Sequence, residues 1–245
     1  MPIFILSLLI QVSLVVHVIK TGRNTIWIWV LVLLPAVGPI AYFIVELLPS
    51  LLGSRAARSA ARGVRQAIDP GRDLRRATAT AALSDTVEAK ARLAAELARR
   101  GEHAAAIDAY RAGLKGLYEF DPTLLLGLAE AQFASGDPGG ARASLDALIT
   151  HNPEFKSADG HLLYARALEA EGNLAKAESE YRAVAGYYPG AEAKVRYGQF
   201  LQKSGKAIEA RAAFEEVVKT AELAPSHVRR AQAEWIAAAR KGLSA

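Results

Sequence analysis

The residues able to do chemistry are few and far apart. The chain of 245 residues contains five histidines and no cysteine. His17, His103, His151, His161 and His227 are scattered, with no pair at metal-ligand spacing. Without cysteine there is no disulfide, no thiolate zinc site and no thiol nucleophile. No Gly-rich loop is present to cradle a phosphate, and no Ser/His/Asp set stands out. No catalytic activity, cofactor, metal or small-molecule substrate is therefore expected. The chemistry that remains is recognition by charge and apolar surface.

The charge sits mainly in one short segment. Residues 1–54 carry Lys20, Arg23 and Glu46, a net +1, and residues 55–76 carry seven arginines against Asp69 and Asp73, a net +5. The other 169 residues sum to −1. They lack the basic face that nucleic-acid binding needs, so no nucleic-acid partner is expected. Within the basic segment, Arg55, Arg58, Arg62 and Arg65 recur at spacings of 3, 4 and 3. That spacing puts them on one face of a helix, which Asp69-Pro70-Gly71 would end.

The elements that would position this stripe lie on either side of it. Upstream are two apolar runs, 2–19 and 26–48, joined by the polar link "KTGRNT". Each is about the length that crosses a bilayer, roughly 20 residues. Trp27 and Trp29 near one end of the second run and Tyr42 near the other suit the interfaces. Pro35 and Pro39 would break this helix in water, but in lipid it can persist with a kink if a neighbour covers the freed carbonyls. Gly38 would let the first span approach closely. A signal peptide is the competing reading of the first run. No basic n-region precedes it and no small-residue cleavage site follows.

Trp27, Trp29, Pro35, Gly38 and Tyr42, after a short first span and a brief polar turn, resemble the N-terminal membrane domain of cardiolipin synthases and related phospholipase D-type proteins. The resemblance covers residues 1 to about 50 and implies an anchor. That superfamily's catalytic His-x-Lys-x4-Asp signature is absent, because no histidine has lysine two residues later. The lipid-synthesising activity is therefore not carried over. With the Arg stripe following the second span, the positive-inside rule puts both termini in the cytoplasm and residues 20–25 outside. The stripe is then expected to touch anionic headgroups.

Downstream, four segments align on Gly101, Gly136, Gly172 and Gly205, spaced by 35, 36 and 33 residues. Seven residues before each glycine stands a small residue: Ala94, Ala129, Ala165 or Gly198. Five residues after it stands Ala106, Ala141, Ala177 or Ala210, and four further on a large one, Tyr110, Leu145, Tyr181 or Phe214. This register resembles the tetratricopeptide repeat (TPR), a helix–turn–helix unit of about 34 residues. It implies an all-α solenoid of about four repeats, near 87–120, 122–155, 158–191 and 191–224. Because no unit buries its apolar face alone, caps are needed. Residues 72–83 are candidates at one end. At the other, a single helix over 226–242 is expected, N-capped by Ser226, with Trp235 packed on repeat four.

The resemblance also implies where a partner binds: on the concave face lined by the first helix of each unit. The corresponding positions are Arg99; Leu126, Glu130 and Phe133; Leu162, Arg166 and Glu169; Val195, Gln199 and Lys203. Apolar anchors mixed with both charge signs suit an extended or helical peptide. Inter-repeat packing is the competing role for Phe133 and Leu162. The Lys and Asn set by which some TPR proteins clamp a C-terminal carboxylate is missing. The expectation is an all-α protein in three parts: a two-helix membrane hairpin at 1–52, an Arg-rich linker and cap at 53–83, and a solenoid at 84–245. It would sit in a bacterial inner membrane as a scaffold or adaptor for a protein or peptide. An accessory subunit of a phospholipid-synthesis enzyme, docking through its hairpin, is the alternative.

Overall fold

The computed structural model describes residues 13–16, 18, 20, 26–34, 42, 69, 71–84 and 86–244. The chain divides into two units, Met1–Arg72 and Asp73–Ala245. In the first unit, helix α1 runs Ile26–Leu33. Leu34 still donates to the Val30 carbonyl at 3.1 Å but is no longer helical, as expected of a residue ahead of proline. Val18, Leu31 and Tyr42 are buried together, with Leu14, Val15, Trp27 and Ile28 packed around them. Described residues of the two apolar runs thus pack against one another. The Trp27 and Tyr42 rings cross edge-to-face at 5.3 Å, a favoured aromatic geometry. Among the described residues no helix is long and apolar enough to cross a membrane. Most of both expected spans, with Pro35, Gly38 and Pro39, and the stripe Arg55, Arg58, Arg62 and Arg65 lie outside the described residues.

The second unit opens with α2, Arg72–Leu83. Four antiparallel helix pairs follow. They are α3 (Val87–Arg99) with α4 (His103–Gly113), α5 (Pro122–Ala134) with α6 (Pro138–His151), α7 (Ala158–Ala170) with α8 (Leu174–Ala185), and α9 (Glu192–Lys203) with α10 (Ala207–Leu223). Their starts are written in the sequence. Thr86 accepts from the Ala89 N–H, Asp121 from Thr123 and Leu124, Asp137 from Gly140, and Ser157 from Gly160. Each satisfies donors that a helix leaves unpaired at its N-terminus. Pro122 and Pro138 stand in the first turn, where a missing N–H costs nothing.

The turns within the pairs need glycine. Gly101, Gly136, Gly172 and Gly205 have φ of 80°, 89°, 81° and 77°, a region where a side chain clashes with the backbone. The packing follows the same register. Ala94, Ala129, Ala165 and Gly198 are buried, as are Ala106, Ala141, Ala177 and Ala210, and Tyr110, Leu145, Tyr181 and Phe214 fill the space between helices. The complementarity is tight. A Cβ on Gly127 would come within 2.4 Å of the Tyr110 ring, and one on Gly198 within 2.5 Å of Phe214.

The C-terminal cap differs from a single helix. It consists of α11, Ser226–Ala231, and α12, Ala233–Ser244, separated at Gln232. Gln232 leaves helical geometry while its Oε1 accepts from the Ala191 N–H at 2.9 Å. That bond ties the cap to the start of repeat four. Ser226 is not the N-cap; it is the first helical residue, behind Pro225, and makes no capping bond. Trp235 packs against the main core, and Ile236 and Ala239 are buried.

Candidate functional site

The first helices of repeats two, three and four, α5, α7 and α9, lie side by side and form a groove. One part, about 540 Å³, is lined by Glu130, Phe133, Asp159, Leu162, Arg166 and Glu192 among others. An adjoining part, about 340 Å³, is lined by Phe133, Arg166, Glu169, Tyr181, Gln199 and Lys203 together with Arg196. Phe133 and Arg166 belong to both, so the groove is continuous across three helices. Of the ten residues expected there, seven are brought together: Glu130, Phe133, Leu162, Arg166, Glu169, Gln199 and Lys203.

Three are not. Val195 is fully buried in the core and cannot touch a ligand. Leu126 packs against that same core. Arg99 is ion-paired with Glu96 in repeat one and lines neither part of the groove. The reason for the first two is periodic. Leu126, Leu162 and Val195 hold equivalent positions, four residues before Glu130, Arg166 and Gln199. Leu162, although it forms part of the groove floor, is only 3% exposed. In these units that position faces the neighbouring helix, so it is packing. The position one turn later faces the groove.

Arg166 is the centre of the site. Its guanidinium carbon lies 4.6 Å over the Phe133 ring, an attractive cation–π geometry. Desolvation, and then the nearby Arg196, lower its pKa. Arg196 itself donates to Glu192 at 2.7 Å and lies 4.8 Å over Trp235. Glu169 accepts from Lys203 at 2.8 Å and from the Tyr181 hydroxyl at 2.7 Å. Burial and that bond push the Tyr181 hydroxyl far above its ordinary range. At the other end, burial and then the Asp159 charge hold the Glu130 carboxyl above its ordinary value. Asp159 accepts from the Tyr188 hydroxyl at 2.7 Å.

Asp159, Glu192, Arg196, Tyr181 and Tyr188 were missed in the sequence. Arg196 stands four residues after Glu192 on one helix face, a readable signal. Tyr181 comes from α8, which periodicity along the first helices does not reach.

A larger cavity, about 790 Å³, lies where repeats two and three meet, lined by Ile149, Phe155, His161, Tyr164, Glu180 and Tyr187 among others. Its polar atoms are satisfied internally. The His161 ring nitrogens face the Tyr187 hydroxyl at 2.6 Å and Glu180 at 2.8 Å. The Tyr164 hydroxyl donates to Asp146 at 2.8 Å and accepts from Lys176 at 2.9 Å. Among the described residues no group of His, Asp or Glu could hold a metal ion.

Residues 132–194 match the family model of the tetratricopeptide repeat. No curated protein matches the chain at a significant level. Among solved structures, a thermophilic TPR protein of Thermus thermophilus superimposes with a TM-score of 0.52 at 17% identity, covering 65% of this chain and 82% of that one. A MamA protein gives a TM-score of 0.49 at 20% identity, over 65% of this chain and 84% of that one. The first of these likenesses supports the fold, and no catalytic family is indicated. Residues 132–194 thus match the tetratricopeptide repeat, and four glycine-turned helix pairs, with small residues at the crossings and large ones between them, give the unit Asp73–Ala245 an all-α, repeat-like fold.

Proposed function

We propose that this chain is a membrane-anchored scaffold or adaptor that binds an extended or helical segment of a protein partner in the α5–α7–α9 groove. The observation that carries the reading is the continuous groove, floored by Phe133 and Leu162 and edged by Glu130, Arg166, Glu169, Gln199 and Lys203. Apolar anchors beside charges of both signs are how peptide grooves combine affinity with register. The larger cavity between repeats two and three is a weaker site, because its side-chain polar groups already bond one another.

The anchor is the N-terminal unit. Its described residues leave Trp29, Leu33 and Leu34 at least half exposed. Apolar side chains facing outward beside a small apolar core suit a lipid surrounding. The Arg55, Arg58, Arg62 and Arg65 stripe would follow the second span on the cytoplasmic side of a bacterial inner membrane and touch anionic headgroups.

The test is crosslinking in native membranes. The full-length chain is compared with a variant whose groove is filled by Ala134→Trp and Gln199→Trp, both away from the fully buried core. A partner captured by the parent and lost from the filled variant supports the groove. A partner retained by the filled variant refutes it and moves binding elsewhere, including to the N-terminal unit. Extraction of the membranes at alkaline pH should leave the chain in the pellet; its release would refute the anchor.

A further inference from the structure

Two charges in the groove are left without a partner of opposite sign. The Arg166 guanidinium is half-buried, stacked on Phe133, with no carboxylate within ion-pair distance among the described residues. Glu169 and Glu192 act on it from longer range, but they are committed to Lys203 and Arg196. Its other neighbour, Arg196, repels it. Glu130 is exposed on the groove and has no cation within ion-pair distance among the described residues. The charge that acts on it, Asp159, has its own sign. Both residues line the same part of the groove, as does Leu162. On and beside the second helices several charges pair: Arg142 with Glu171, Lys206 with Glu178 and Arg211 with Glu215. A partly desolvated charge without a counter-charge, such as Arg166, weakens the unbound protein and is relieved by a ligand that supplies one, and the exposed Glu130 is open to a cation of the same ligand.

We propose that the groove selects a dipolar segment of its partner, with an Asp or Glu side chain seated on Arg166 and a Lys or Arg side chain seated on Glu130. This rests on the groove being the binding face. Phe133 and Leu162 supply the apolar part of the lining. Lys203 and Arg196 are already paired with Glu169 and Glu192. Opposite charges placed at two points fix the direction in which the segment lies, because the reversed segment would bring like charges together.

The probe is a phage-displayed library of random 12-residue peptides, fused at their C-termini so that every carboxylate comes from a side chain. It is selected against the detergent-solubilised full-length chain, against Arg166→Glu and against Glu130→Lys. The groove-filled Ala134→Trp/Gln199→Trp variant serves as the counter-selection. The parent should enrich peptides carrying one acidic and one basic residue at a fixed separation. Arg166→Glu should exchange the acidic position for Lys or Arg, and Glu130→Lys should exchange the basic position for Asp or Glu. A synthetic consensus peptide, followed by fluorescence anisotropy, should lose about tenfold or more in affinity with Arg166→Gln and with Glu130→Gln, neutral changes that leave the fold intact by circular dichroism.

Peptides that need the groove but show one sign of charge only, or the same consensus on both reversed variants, overturn the dipolar selection and leave the groove standing. Peptides that bind the filled variant equally, or no enrichment at all, overturn the groove as well.

Discussion

Replacing Gly198 by alanine should reverse its effect on stability according to what stands at position 214. An added Cβ would meet Phe214 Cε1 at 2.5 Å and two further ring carbons at 2.9 Å. The ring cannot retreat. Phe214 is 1% exposed, and a Cβ on Gly242 would meet it at 2.4 Å from another side. Overpacking of this kind costs about 1–3 kcal/mol, here near the upper end because the ring is held on both sides. Alanine in place of a mid-helix glycine returns about 1 kcal/mol. Gly198→Ala should therefore destabilise by about 2 kcal/mol. Phe214→Ala alone should cost about 3–5 kcal/mol through the cavity it opens. In that background the alanine at 198 has room, so its helix propensity acts alone and Gly198→Ala should stabilise by about 1 kcal/mol. The coupling between the two sites is then about 3 kcal/mol, large for neighbours in contact. The assay is urea unfolding of the detergent-solubilised chain, followed by far-ultraviolet circular dichroism. With a slope of about 2 kcal/mol/M the single variant should shift the midpoint down by about 1 M. If Gly198→Ala stabilises the parent as much as it stabilises Phe214→Ala, the small-against-large register does not hold the fourth pair together.

Three further expectations follow from the same contacts. Asp121→Ala removes the acceptor for the Thr123 and Leu124 N–H groups and should cost about 1–2 kcal/mol in thermal unfolding, while Asp121→Asn should cost a few tenths. Gly172→Ala meets no atom within 4 Å, so its loss of about 1–2 kcal/mol in urea unfolding should come from backbone strain at φ 81° alone. Glu130→Gln should stabilise the chain at neutral pH. Desolvation and then the Asp159 charge raise the folded-state pKa of Glu130 above its ordinary value of 4.5, so ionisation weakens the fold, though only slightly because the residue is exposed. Below 4.5 both states bind the proton and the advantage should vanish. Chemical unfolding at a series of pH values reads it directly, and an advantage that grew toward acid would contradict the burial.

The repeats were legible because each of their signals is local. Gly101, Gly136, Gly172 and Gly205 announce turns through a steric rule that acts on one residue at a time. Ala94 and Ala106, or Ala165 and Ala177, recur at fixed offsets because two helices joined by such a turn must cross where they do. Thr86, Asp121, Asp137 and Ser157 announce helix starts through bonds that reach three residues. Of the ten positions that the resemblance to the repeat family implied, the structure brings seven around one groove. Register could not exclude Val195, because an apolar residue on a first helix has the same spacing whether it faces the groove or the next unit.

Sequence alone therefore determined the helical pairs, their turns and the order of the units. All are consequences of helical period and backbone sterics acting over a few residues. Tertiary structure decided the rest. Arg166 lies over Phe133, 33 positions earlier, beside an Arg196 that repels it. Gln232 reaches back to Ala191 and splits the cap, and His161 meets Glu180 and Tyr187 across a repeat. Which charges find counter-charges and which face the groove unpaired depends on the rotation of one helix against another. That rotation is set by how whole side chains fill the space between units, a property no single stretch of sequence contains.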